Sequence, residues 1–146
     1  MRLRSFLERV DHDQIVSAIA AAEARSRGEI RVHASNRAVN DAQKAATAQF
    51  EALGMAGTAE RLAVLIYVAP LSRNFAIVGD SGVHARCGSQ FWTQVAAAME
   101  QDFRAGNYTA GLLKGIERAG ALLAEHFPRL EGVSDRNELP DTVSED

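Results

Sequence analysis

The sequence predicts an α/β protein, a three-layer α/β/α sandwich around a small mixed sheet of three to four strands. The segment EIRVHAS (29–35) alternates apolar and polar residues, and a helix separates it from the apolar run LAVLIYVAP (62–70). Strand, helix, strand in this order is typical of a right-handed parallel crossover. The tight polar segment Pro70–Asn74 then turns the chain into a third, antiparallel strand.

Four helices are predicted from capping residues and from apolar residues at helical spacing. Asp11 with Gln14 forms a capping-box pattern at the start of the first helix, and Pro128 stops the last. The predicted helices span residues 11–28, 40–54, 89–105 and 109–127. Four helices are enough to cover both faces of a small sheet.

We expect one domain over residues 1–128 and an acidic C-terminal tail over residues 129–146. The tail carries six acidic and two basic residues, a charge of −4 in a chain whose net charge is −3. Such a tail is typically a solvated extension. The alternative is that the segment Asn137–Asp141 docks, on a partner or on its own domain, through Leu139 and Pro140. The nearly neutral remainder argues against nucleic acid as a partner.

The sequence also predicts a cytoplasmic protein without direct membrane insertion. The longest apolar run, residues 62–70, is too short to span a bilayer as a helix. The amino terminus lacks the apolar h-region of a secretory signal. The single cysteine, Cys87, excludes an internal disulfide and a multi-cysteine metal site.

The strand end Gly79-Asp80-Ser81-Gly82 is the candidate ligand-binding site. Glycines around an acidic residue allow a sharp turn that exposes a carboxylate, a hydroxyl and amides together. The predicted topology brings Arg61 to the same edge of the sheet. We therefore expect a phosphate to bind to the Arg61 guanidinium and the amides of residues 79–82. The alternative is a structural salt bridge between Arg61 and Asp80.

Asp80 and Glu29 are also candidate ligands for calcium or magnesium, because hard cations take carboxylate and backbone oxygens. A complete site needs further acids such as Glu60 or Asp102 to converge, and the alternative is an ordinary capped strand end. His84 and Cys87 suggest a thiolate pair. A lone cysteine near a helix is more often a small buried apolar residue.

A series of short motifs follows in a fixed order along residues 11–127. They are GEIRV (28–32), F-x-x-L-G-M (50–55), T-x-x-R (58–61), LIYVA (65–69), R-x-F-x-I-x-G-D-x-G (73–82), F-R-x-G-x-Y-x-x-G-L (103–112) and GI (115–116). Together they resemble the TPM domain family, also described as the TPM phosphatase family. The resemblance implies a compact α/β/α sandwich.

The resemblance also implies two different functions. Some members have been assigned acid phosphatase activity with a bound divalent ion such as calcium, and others act as accessory proteins of membrane complexes. Anchored members tend to place an acidic residue before the third helix, where this chain reads RCGSQ (86–90). The corresponding metal ligand would be missing here, which favours a binding module over metal-dependent phosphatase chemistry. We expect a ligand- or divalent-metal-binding domain with weak phosphatase activity. The alternative is a non-enzymatic accessory module that binds a protein partner, one associated with a membrane.

Overall fold

The structure is a computed structural model, which describes residues 1–57, 60–129 and 141–146. Its α-helices are α1 (Leu3–Glu8), α2 (His12–Ala24), α3 (Ala42–Ala52), α4 (Ser81–Cys87), α5 (Gln90–Arg104) and α6 (Tyr108–His126). Its strands are β1 (Glu29–Ala34), β2 (Ala63–Ala69), β3 (Asn74–Gly79) and β4 (Ser144–Glu145). Two short 3-10 helices cover Met55–Gly57 and Pro70–Ser72.

The strands form one mixed sheet in the order β3-β2-β1-β4. β1 and β2 are parallel, in register from Glu29 opposite Ala63 to Ala34 opposite Val68. β3 returns antiparallel to β2, directly after the turn at residues 70–73. The predicted crossover and the predicted antiparallel third strand are therefore confirmed.

Helices cover both faces of the sheet, as the predicted α/β/α sandwich requires. One face of β2, with Val64 and Ile66, packs in a core cluster with residues of α2, α5 and α6. The other face, with Leu65 and Tyr67, packs in a second cluster with α3. Every residue of β2 is buried, which explains why this strand is a continuous apolar run rather than an alternating one.

Three differences from the sequence prediction concern helices and their ends. The helices α1 and α4, of six and seven residues, were not predicted because they are too short to show a clear helical period. α2 ends at Ala24 rather than near Gly28, because Ser26 forms an isolated bridge with Pro128. The N-cap of α3 is Asp41, whose side chain accepts a hydrogen bond from Lys44 N.

The prediction of a solvated tail is wrong for the end of the chain. Ser144 and Glu145 pair with His33 and Ala34 of β1 in parallel orientation. Hydrogen bonds to the free edge of β1 outweigh the solvation of an acidic segment. Leu139 and Pro140, on which the docking alternative depends, lie outside the described residues. Within the described residues, no helix is long and apolar enough to cross a membrane.

Candidate functional site

The predicted site residues meet at the end of the sheet where β1 and β2 begin, which we call the rim. Glu29 is the first residue of β1, opposite Ala63 of β2. The Gly82 N–H donates to the Arg61 carbonyl at 3.0 Å, so the segments before β2 and after β3 are in contact. The predicted placement of Arg61, Asp80 and Glu29 at one end of the sheet is therefore what the structure shows.

The amides of the rim are already used within the protein. Asp80 N donates to Ala63 O at 2.9 Å, and Ser81 N donates to the carboxylate Oδ1 of Asp80 at 2.8 Å. Gly82 N is held by the Arg61 carbonyl. These bonds cap α4 and close the turn after β3. Residues 80–82 therefore present no free amide cradle for a phosphate, and phosphate binding there remains a prediction that these contacts do not favour.

Both glycines of the rim are explained by close packing. A Cβ at Gly79 would collide with the Trp92 ring, and a Cβ at Gly82 would lie 2.6 Å from the Arg61 carbonyl oxygen. Neither glycine needs a positive φ. A missing side chain, rather than a special turn or a ligand, is what the structure needs at these two positions.

The two charged residues of the rim do not pair. Asp80 is 5% exposed and its Oδ2 atom is buried without a hydrogen-bond partner, whereas Arg61 is exposed. No ion pair joins them in the described chain. Nor do the described residues contain a group of three or more His, Cys, Asp or Glu side chains that could hold a metal ion. The two predicted ligands, Asp80 and Glu29, are both buried at this end of the sheet, and calcium or magnesium binding there stays a prediction.

His84 and Cys87 both lie on α4, after the rim. Burial raises the pKa of the Cys87 thiol, an effect opposed by Arg86. A raised pKa keeps the sulfur protonated and unreactive at neutral pH. The thiol therefore fits the buried apolar alternative better than a catalytic pair.

At the opposite end of β2 the structure has an open cavity of about 760 Å³, within the usual range for small-molecule sites. Its walls come from α1, from the turn between β2 and β3, and from the junction of α5 and α6. Ligands of open α/β sheets typically bind outside the carboxyl ends of the strands. The cavity occupies that position next to Val68 and Ala69, where β2 ends.

Three arginines and one glutamate line this cavity. Arg9 lies over the Tyr108 ring, 5.0 Å from its centroid, and donates to Gly106 O at 3.3 Å. Arg104 pairs with Glu100 at 2.6 Å. The Arg73 guanidinium has no ion-pair partner within the part of the chain that the structure describes. The balance of charge at the cavity is therefore positive, which favours an anionic ligand.

Aromatic rings form the inner wall of the cavity. Phe103 contacts Phe75 edge to face, with ring centroids 5.0 Å apart, and Tyr108 at 5.9 Å. Phe6 of α1 lies 5.2 Å from Tyr108. The rings join three segments that are distant in the sequence. They give the cavity an apolar surface next to its arginines, with Arg9 lying directly over the Tyr108 ring.

Arg73 adopts a left-handed backbone conformation, with φ of 56°. It follows the 3-10 helix Pro70–Ser72, and its N–H donates to Pro70 O at 3.2 Å. For a residue with a Cβ this conformation costs about 1 kcal/mol relative to glycine. Non-glycine residues in this region are often found at functional sites. An arginine at this turn is thus energetically unfavourable for folding and places a cation at the cavity. Arg61 at the rim has the same conformation, with φ of 58°, so this strain does not distinguish the two ends.

Two sequence motifs converge at this cavity. The motifs R-x-F (73–75) and F-R-x-G-x-Y (103–108) each combine an arginine with aromatic residues. In the sequence, both motifs support only the family resemblance. The fold brings both to one place, next to Arg9, and this convergence depends on the docking of α1, which was not predicted.

The class of protein is therefore an α/β/α sandwich with an arginine- and aromatic-lined cavity at one end of its sheet. The family model of the TPM domain matches residues 2–122, and the chain belongs to this family. None of the curated proteins matches the sequence.

Solved structures support the same assignment. The BA42 protein from the psychrophilic bacterium Bizionia argentinensis is 37% identical, with a TM-score of 0.84 over 94% of this chain and 95% of that one. The N-terminal domain of a P. gingivalis protein is 17% identical, with a TM-score of 0.60 over 79% and 76% of the two chains. The N-terminal domain of cg2496 from Corynebacterium glutamicum is also 17% identical, with a TM-score of 0.61 over 76% and 70%. These last two show the fold alone.

Proposed function

We propose that this TPM domain binds a small anionic molecule with an aromatic or apolar part, such as an aryl phosphate, in the cavity at the carboxyl end of β2. The observation that carries the proposal is the convergence of Arg9, Arg73 and Arg104 around a wall of aromatic rings. Guanidinium groups bind phosphate and carboxylate oxygens with two parallel hydrogen bonds. The rings would take the apolar part of the same ligand.

Weak, metal-dependent phosphatase activity finds less support in the arrangement. The carboxylate Oδ2 of Asp80, a candidate cation ligand, is at the rim. The three arginines of the cavity are at the other end of β2, about 20 Å away for a strand of seven residues. A metal ion must contact the phosphoryl group that it activates. Among the described residues that line the cavity, the acid is Glu100, which pairs with Arg104. The proposal is therefore binding, with hydrolysis as a secondary activity at most.

Two matched variants test the site. Arg73→Gly and Arg61→Gly each remove one exposed arginine with a positive φ, of 56° and 58° respectively. Because both relieve the same backbone strain, both should raise the free energy of unfolding slightly, by up to about 1 kcal/mol. Only Arg73→Gly removes a charge from the cavity. We expect it to weaken phenyl phosphate binding by about tenfold, as for the loss of one charge-assisted hydrogen bond.

Binding is measured by titration with phenyl phosphate, inorganic phosphate and phenol, followed by NMR chemical shifts. We expect phenyl phosphate to shift the amide signals of residues 73–75 and 103–108 at lower concentration than either fragment. Loss of binding in Arg61→Gly and retention in Arg73→Gly would move the site back to the rim. No shift of these signals with millimolar phenyl phosphate would contradict the proposal.

A further inference from the structure

The second edge of β1 is occupied by the chain's own end. One edge of β1 pairs with β2, and along the other runs the segment Asp141–Asp146, which we call the closing segment. Only Ser144 and Glu145 enter the ladder, opposite His33 and Ala34. So short a ladder contributes few main-chain hydrogen bonds. Side chains must therefore supply much of what holds the closing segment in place.

The side chain of Asp146 fits a polar pocket at the end of β1. Its Oδ2 accepts a hydrogen bond from Ser35 Oγ at 3.0 Å, and its Oδ1 accepts one from Asn36 N at 2.9 Å. Arg37 Nε lies 3.6 Å from Oδ2 of this carboxylate, and His33 Nε2 lies 3.6 Å from its Oδ1. Two hydrogen-bond donors with the Arg37 cation beside them are a set that binds a carboxylate.

Ser144, two residues before Asp146, also contacts β1 through its side chain. Its Oγ lies 2.8 Å from His33 Nδ1 and donates to Val32 O at 3.3 Å. His33 is 1% exposed and stacks on Tyr67 with ring centroids 5.8 Å apart. Burial lowers the pKa of His33, an effect that Asp146 opposes. A neutral imidazole forms a hydrogen bond with the closing segment but does not hold it through a strong buried ion pair.

A third contact lies at the start of the closing segment. Burial and a hydrogen bond with Asp141 raise the pKa of Glu23 to about 9. Glu23 is thus protonated at neutral pH and shares its proton with Asp141. Its Oε2 also accepts a hydrogen bond from Ile30 N at 2.9 Å, on the same edge of β1. The edge therefore recognises an acidic group at each end of a six-residue extended segment.

We propose that the edge of β1 facing away from β2 is a docking site for an extended acidic segment of a partner protein, which adds parallel to β1 and replaces the closing segment. The partner segment would carry a serine or threonine two residues before an aspartate, as Ser144 and Asp146 do. Strand addition of this kind draws affinity from main-chain hydrogen bonds and specificity from alternate side chains. The contacts that the closing segment makes within its own chain show which side chains this edge binds. A two-residue ladder is also weak enough to open locally.

The experiment uses the full chain and the capped peptide acetyl-DTVSED-amide, which has the sequence of the closing segment. Asp146→Lys removes both hydrogen bonds to the pocket and places a cation near Arg37, so it should release the segment. Glu145→Lys makes the same change of charge at an exposed neighbour and should leave it bound. Release is measured by hydrogen exchange of the amide of residue 144, because successive N–H groups of a strand point to opposite edges and that of residue 145 points away from β1.

We expect the peptide to shift the amide signals of residues 30–37 in Asp146→Lys. In the wild type and in Glu145→Lys, the same signal shifts should require at least tenfold more peptide. The tethered segment competes there at an effective concentration on the order of millimolar. The peptide acetyl-DTVSEN-amide should bind Asp146→Lys at least tenfold more weakly than the acidic peptide. Ser144→Ala, which removes one hydroxyl, should give a smaller release of the same segment.

Two results would overturn the proposal. In one, the amide of residue 144 stays protected in Asp146→Lys, so that the carboxylate pocket does not hold the segment. In the other, the segment leaves but millimolar peptide shifts none of the signals of residues 30–37. The edge would then be closed to any segment that is not tethered to it.

Discussion

The two ends of β2 carry arginines, glycines and acidic residues, yet they are built differently. At the rim the three amides of residues 80–82 bond to neighbouring protein atoms, and both glycines lie against other groups. At the other end, the cavity remains open and the Arg73 guanidinium has no ion-pair partner within the described residues. A glycine-rich strand end is therefore not by itself a ligand site, since close packing requires the same residue types. What separates the two ends is space: the rim amides are bonded and its glycines are covered, although Asp80 Oδ2 has no hydrogen-bond partner, whereas the cavity leaves open volume beside its arginines.

The largest expected effect tests the packing role of the rim glycines. Gly82→Ala should lower the free energy of unfolding by up to about 3 kcal/mol, because its Cβ would meet the backbone oxygen of Arg61. Gly79→Ala should cost less, since the half-buried Trp92 can shift its ring. Gly57→Ala is the control, as a Cβ there meets nothing within 4 Å, and should stay within about 0.5 kcal/mol. Urea unfolding measures all three.

If Gly82→Ala unfolds at the same urea concentration as the wild type, the rim has room for a side chain. Its glycines would then need another explanation, and a ligand site at the rim would regain support. The comparison between the two ends would lose its main physical basis.

A second prediction concerns the carboxyl group of Glu23, at the same end of the sheet as the rim. A carboxyl group with a raised pKa favours folding most at low pH, and its contribution is lost as pH rises from the ordinary value near 4.5 toward about 9. Deprotonation would place Glu23⁻ beside Asp141, with Glu29 also nearby. We expect the melting temperature to fall between pH 6 and pH 9.5.

Glu23→Gln is the matched variant for this titration. It keeps an acceptor for Ile30 N and a donor for Asp141 but does not titrate. Its melting temperature should change less than that of the wild type over the same pH range. An identical pH dependence in the two proteins would show that the proton is not held at Glu23.

The smallest effect concerns the Asp80 side chain. Asp80→Ala removes the acceptor for Ser81 N and should lower the free energy of unfolding by about 1 kcal/mol, as for other helix caps. Asp80→Asn keeps an acceptor and should cost less. Neither variant should change phenyl phosphate binding, because the cavity is at the other end of β2. Weaker binding in Asp80→Asn would show that the two ends are coupled.

The same variant tests the predicted metal site. If Asp80 is a ligand, millimolar calcium or magnesium should raise the melting temperature of the wild type and not that of Asp80→Asn. Equal shifts in both proteins would place the cation elsewhere.

The sequence by itself determined the main architecture. The crossover from β1 to β2, the turn at Pro70 and the continuous apolar run of β2 follow from local patterns of period two and 3.6, which depend on which face each residue buries. The meeting of Arg61 and Asp80 at one end of the sheet followed from the same topology. Local chemistry also placed the N-cap at Asp11 correctly.

Only the tertiary structure decided which end is closed and which is open. The packing of Trp92 on Gly79, the docking of Phe6 beside Tyr108 and the pairing of Ser144 with β1 each join residues far apart in the chain. Such contacts leave no periodic signal, because they depend on how whole elements pack together. The burial that raises the pKa of Glu23 arises in the same way. A sequence can therefore show that a charged or small residue is present, but whether its polar groups are satisfied is settled when distant segments meet.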